Sequence, residues 1–77
     1  MSEYWADVMI HIDESLGDDD IHDLEQDLSM LDGVYSACVN DKARHLMLVD
    51  FDPADMKTND LLWHVEKRGL HAELVGL

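Results

Sequence analysis

The stretch ADVMIHIDESLGDDDIHDLEQDLSMLDG, residues 6–33, changes its hydrophobic period once, and that change decides the fold. From Ala6 to Asp13 apolar and polar residues alternate. Ala6, Val8, Ile10 and Ile12 share one face, and Asp7, Met9, His11 and Asp13 share the other, which is the two-residue period of a half-buried strand. Gly17 interrupts the pattern. Beyond it Ile21, Leu24, Leu28 and Leu31 recur at spacings of three, four and three, the stripe of an amphipathic helix. Asp18, Asp19 and Asp20 suit the start of that helix, where unpaired N–H groups and the dipole favour negative charge. Gly33 suits the position just past its end. A strand over 6–13 and a helix over 18–31 follow.

Working outward, residues 34–40 read as a second strand, Asp41 to Arg44 as a polar turn, and residues 45–51 as a third strand rich in Leu, Met and Val. So short a polar link makes the two an antiparallel hairpin. Pro53, which has no N–H to give to a ladder, ends the third strand. Leu61, Leu62 and Val65 mark a second helix over 58–68, with Thr58 as N-cap and Gly69 beyond its end. Alternation resumes over 70–75 as a fourth strand. The order βαββαβ predicts an α+β, ferredoxin-like sandwich: a four-stranded antiparallel sheet of order 4-1-3-2 with two helices on one face. In this reading the third strand runs parallel to the first, which it flanks. With 77 residues the chain is expected to form a single domain, 1–77.

Eighteen acids against five bases give a net charge of -13. That balance argues strongly against nucleic-acid binding through phosphates and disfavours anionic membrane surfaces. Residues 1–41 hold twelve of the acids and no Lys or Arg, and seven acids lie between Asp18 and Asp32. A negative helix face of this kind serves either as a solvated surface, as in a high-salt host, or as a docking surface for a basic partner. A lone cysteine, Cys38, makes no intramolecular disulfide. Met1 to Tyr4 show no basic leader, and no apolar run approaches the ~18 residues of a membrane span, so a soluble, cytoplasmic protein is expected.

Residues 24–75 resemble the heavy-metal-associated (HMA) domain family, the small copper carriers and N-terminal modules of metal-pumping ATPases. The matching residues are Leu24-Glu25, Leu28, Leu31-Asp32-Gly33-Val34, Val39-Asn40, Phe51-Asp52-Pro53, Met56, Leu61, Val65-Glu66 and Gly69-Leu70. The resemblance implies the ferredoxin-like fold. It also implies a metal site of two cysteines, in a CxxC motif preceded by Met, in the loop before the first helix. Counted back from Leu24, the cysteine positions fall on Gly17 and Asp20 and the Met position on Ser15. The thiolates that hold soft copper are therefore absent, and the chain is expected to keep the fold without the family's chemistry.

Asp18, Asp19, Asp20, His22 and Asp23 lack the spacing of a calcium loop and are sufficiently explained as helix-start acids. His11 and His71, both outward near the paired ends of strands one and four, with Asp13 and Asp50, form a candidate set for Zn²⁺, Ni²⁺ or Cu²⁺. The resemblance puts His64 at a position that the family keeps on the buried face of the second helix, so it reads as a packed or half-buried residue, with no serine, cysteine or carboxylate placed beside it; His22 and His45 carry no further signal. Met9, Cys38, Leu46, Leu48 and Val75 are expected side by side on the open sheet face; the alternation does not place Tyr4, Trp5 or Trp63.

No catalytic residue set emerges. Acylphosphatases share the fold class but need an Arg and Asn arrangement at a phosphate loop, and Arg44 and Arg68 lie in no Gly-rich turn. The expected function is thus a non-catalytic interaction or regulatory module, without an assigned cofactor. It would use the acidic helix face (Asp18, Asp19, Asp20, Asp23, Asp27) or the open sheet (Met9, Leu46, Leu48) to meet a basic protein, or a second copy in a weak homodimer. The alternative is heavy-metal binding or transport through His and Asp ligands in place of CxxC.

Overall fold

The computed structural model describes residues 5–75; Tyr4 and the other N-terminal positions lie outside them. The elements follow the expected order: β1 (Ala6–Ile12), α1 (Asp18–Ser29), β2 (Val34–Val39), β3 (Leu46–Phe51), α2 (Thr58–Glu66) and β4 (Ala72–Val75). The sheet runs β2-β3-β1-β4, the expected arrangement read from its other edge. Both helices pack on one face.

One expectation is corrected. β1 and β3 are antiparallel, pairing Ala6 with Phe51 and His11 with Leu46. The helical crossover makes β2 run the same way as β1, and the hairpin then returns β3 between them, opposed to both. Asp50 consequently pairs with Asp7, at the far end of β1 from Asp13.

The core is built from the alternation that the sequence shows. Val8, Ile10 and Ile12 of β1 and Met47, Val49 and Phe51 of β3 point inward, where Leu24 and Leu28 of α1 and Leu61 and Val65 of α2 meet them. Each such large side chain contributes about 1.5–3 kcal/mol by leaving water. On β2 the strict alternation is broken: Val34 faces Phe51 while Ser36 faces Asp50, so Tyr35 is the extra residue of a bulge. The bulge keeps both Val34 and Ala37 buried, and Tyr35 swings out to meet Trp5 edge-on at 6.1 Å between ring centroids. The Glu25 carboxylate of α1 accepts the Val39 N–H at 2.7 Å. It thereby satisfies a donor on edge strand β2 that no neighbouring strand reaches.

The ends are tighter than the periodicity suggests. α1 stops at Ser29 rather than Leu31, because Leu31 N–H reaches back three residues to Leu28 at 3.1 Å and Gly33 turns the chain with φ +90°. α2 is capped by extended Lys57, not Thr58, and ends at Glu66 before Gly69 turns at φ +86°. β4 starts at Ala72 rather than Leu70. No helix among the described residues is long and apolar enough to cross a membrane.

Candidate functional site

The open sheet face is arranged in cross-strand rows. The central row is apolar and crosses all four strands: Cys38 faces Leu48, Leu48 faces Met9, and Met9 faces Val75. Leu48 is 43% exposed, Cys38 is exposed, and Met9 and Val75 are half-buried. Half-buried Leu46, next along β3, extends the row on one side. Of the aromatic residues, Trp5 lies at the start of β1, while Trp63 is in the helix layer on α2, edge-on to His64 and under the Lys67 ammonium. His64 is half-buried there, at the groove between α1 and α2.

Acid and imidazole bracket this row at opposite ends. At one end Asp7 and Asp50 are cross-strand partners, and the Ser36 hydroxyl donates to Asp50 at 2.9 Å. The hydrogen bond with Asp50, then desolvation and the Asp50 charge, push the Asp7 carboxyl above its ordinary value. At the other end His11 and Asp13 lie two residues apart on one face, and Glu73 of β4 is directly opposite His11. His11, Asp13 and Glu73 each bring a ligand atom within 4.8 Å of the others. His11 Nδ1 is 3.2 Å from Asp13 Oδ1. It is shielded from solvent, and the contact lacks hydrogen-bond geometry, so it has no partner. The His11 ring stacks on His45, 5.8 Å between centroids at 20°, and His45 Nδ1 is held 2.7 Å from the Ile12 carbonyl.

Of the four expected ligands the structure brings His11 and Asp13 together. His71 lies across from Asp13, whose N–H donates to the His71 carbonyl at 2.9 Å, but its ring turns away to Glu14 at 2.6 Å. Glu14 also accepts the His71 backbone N–H at 2.8 Å. The hydrogen-bonded Glu14 carboxylate raises the His71 pKa, and the same bond lowers that of Glu14. Asp50 is at the wrong end. Glu73 and Glu14 were missed by sequence reasoning; the signal for Glu73 was the outward phase it shares with His71 and Val75 on β4.

The acidic face of α1 is partly neutralised from within. Arg44 pairs with Asp18, and Arg68 pairs with Asp27. Asp19, Asp20 and Asp23 are exposed and have no ion pair among the described residues. The loop before the helix ends in Gly17, an N-cap without a side-chain bond.

No model of a known protein family matches the sequence, and no curated protein matches it. Solved structures do. The N-terminal domain of a potential copper-translocating P-type ATPase from Bacillus subtilis, in its Cu(I)-loaded state, superposes with TM-score 0.82 at 24% identity, covering 92% of this chain and 88% of that one. The putative copper-ion-binding protein from Bacillus anthracis gives 0.82 at 17% identity, with 94% and 100% covered. Oxidised MerP from Ralstonia metallidurans gives 0.80 at 15%, with 92% and 97% covered. The chain has the fold of the HMA domains. It has no CxxC motif: the sequence holds one cysteine, Cys38, which is exposed on β2.

Proposed function

We propose that this HMA-fold chain is a non-catalytic docking module that meets a basic protein partner through its open sheet face, the acids at the two ends of that face (Asp7 and Asp50, Asp13 and Glu73) steering the approach. The observation that carries the reading is the apolar row Cys38, Leu48, Met9 and Val75, which crosses all four strands with Leu48 43% exposed. An exposed row rimmed by charge is the usual anatomy of a contact surface. The net charge of -13 favours a cationic partner and speeds its encounter at low salt. Copper handling, which is what the names of several fold neighbours describe, reaches this chain poorly by the same route. Soft Cu(I) selects thiolate and thioether ligands, and the loop offers Gly17 and Asp20 instead.

The test is a comparison of wild type with Leu48→Glu as immobilised bait, in low and high salt, with sedimentation of both proteins alone. A basic protein retained by wild type at low salt, and lost on Leu48→Glu, is the expected result. Concentration-dependent mass abolished by Leu48→Glu would identify a second copy as the occupant instead. Identical retention by both proteins, with both monomeric throughout, would overturn the reading.

A further inference from the structure

We propose that His11, Asp13 and Glu73 form a three-ligand site for one divalent cation of zinc-like hardness on the open sheet face. The inference stands apart from the docking reading, since it concerns the polar end of the face and needs no partner. It begins with register. Two residues apart on one strand and directly across to the next is the arrangement by which a pleated sheet gathers three side chains on one side. Asp13 is held in that register beyond the end of β1 by its N–H bond to the His71 carbonyl, 2.9 Å long.

The distances suit a cation. Ligand atoms around a tetrahedral zinc lie about 3.3 Å apart, given bonds of roughly 2.0–2.1 Å. The three donor atoms already lie within 4.8 Å of one another, and rotation of two exposed carboxylates closes the remainder. The imidazole is the placed member: its plane is set by the stack on His45, itself tied to the Ile12 carbonyl at 2.7 Å. Its Nδ1 is shielded from water and lacks a hydrogen bond, and the Asp13 carboxylate 3.2 Å away offsets only part of that desolvation. A cation between Nδ1 and the Asp13 carboxylate supplies the rest and neutralises two carboxylates that otherwise repel.

The donor set also selects the ion. One imidazole and two carboxylates without sulfur disfavour Cu(I), and three ligands are too few for calcium, which takes six to eight oxygens. Zinc(II) fits, with its fourth position open to water. His71, engaged by Glu14, is not a ligand, and neither is Asp50 at the far end of the sheet.

The experiment is a titration of ZnCl₂ into the full chain, read by imidazole ¹H–¹⁵N spectra and by calorimetry, for wild type, Glu73→Gln, His11→Gln and the controls His71→Gln and Asp50→Asn. Backbone spectra establish that each variant is folded. Saturable binding with the largest change at the His11 ring is expected. Glu73→Gln and His11→Gln should weaken it at least about tenfold, the loss that even an outer-shell substitution can bring, and both controls should bind as wild type does. Equal affinity in Glu73→Gln, shifts confined to the acids of α1, or no saturable binding would each overturn the proposal.

Discussion

The His71 and Glu14 side chains contribute to stability over a pH window that the sign of their shifts defines. Glu14 raises the pKa of His71, so the histidine's contribution is complete below its ordinary 6.5 and is lost as pH rises through the raised value. His71 lowers the pKa of Glu14, so that contribution is complete above 4.5 and is lost as pH falls through the lowered value. The pair is therefore whole between those two ordinary values. Glu14→Gln should lower the melting temperature most near the middle of the window and little at pH 9; a uniform loss at every pH would contradict the assignment. Asp7 has the opposite sign for an acid. Its raised pKa means stability present below 3.8 and lost as pH rises, because ionisation sets two carboxylates against each other across β1 and β3. Asp7→Asn is expected to raise the melting temperature at pH 7 and to lose that gain in acid, and a lower melting temperature at pH 7 would count against it.

Helix ends are where single elements can be broken. Gly33 turns at φ +90°, and a Cβ there would sit 2.8 Å from the Asp55 Cβ, so Gly33→Ala meets both a strained backbone and a clash. A loss of about 1–3 kcal/mol in urea unfolding is expected, larger than for Gly69→Ala. Gly69 turns at φ +86° into open space, and the left-handed conformation alone costs about 1–2 kcal/mol. Equal losses would mean that the Asp55 contact is relieved by movement. Inside α1, Leu28→Ala should cost about 2–5 kcal/mol, since its side chain is fully buried under the sheet. The six elements were legible in the sequence because each carries its own period: two from Ala6 to Ile12, three and four from Ile21 to Leu31. Both helix-ending glycines were legible for the same local reason. What periodicity does not carry is pairing between distant segments. The direction of β3 against β1 put Asp50 at the wrong end, and the register of β4, set by the path from Lys67 to His71, decided that Glu73 and not His71 faces His11. The Tyr35 bulge likewise depends on how β2 meets β3. Nothing in the structure explains why Lys57 rather than Thr58 caps α2.

At the scale of the molecule, eighteen acids on a small fold repel one another, and ion pairs such as Arg44 with Asp18 and Arg68 with Asp27 offset only part of that. At 0.15 M ionic strength the screening length is about 8 Å, so adding sodium chloride from low ionic strength should raise the melting temperature while weakening any association with a cationic partner. A melting temperature that falls over the same range would mean that attraction, not repulsion, dominates the surface. The chain superposes over 92% and 94% of its length on two copper-handling neighbours at TM-scores of 0.82, and its single cysteine supplies no CxxC motif. The most direct check is anaerobic competition of the reduced protein for Cu(I) held by a chromophoric chelator. The chelator should keep its copper at every protein concentration, with Gly17 and Asp20 offering no thiolate to draw it away; stoichiometric transfer of Cu(I) to the protein would contradict the loss of the loop site.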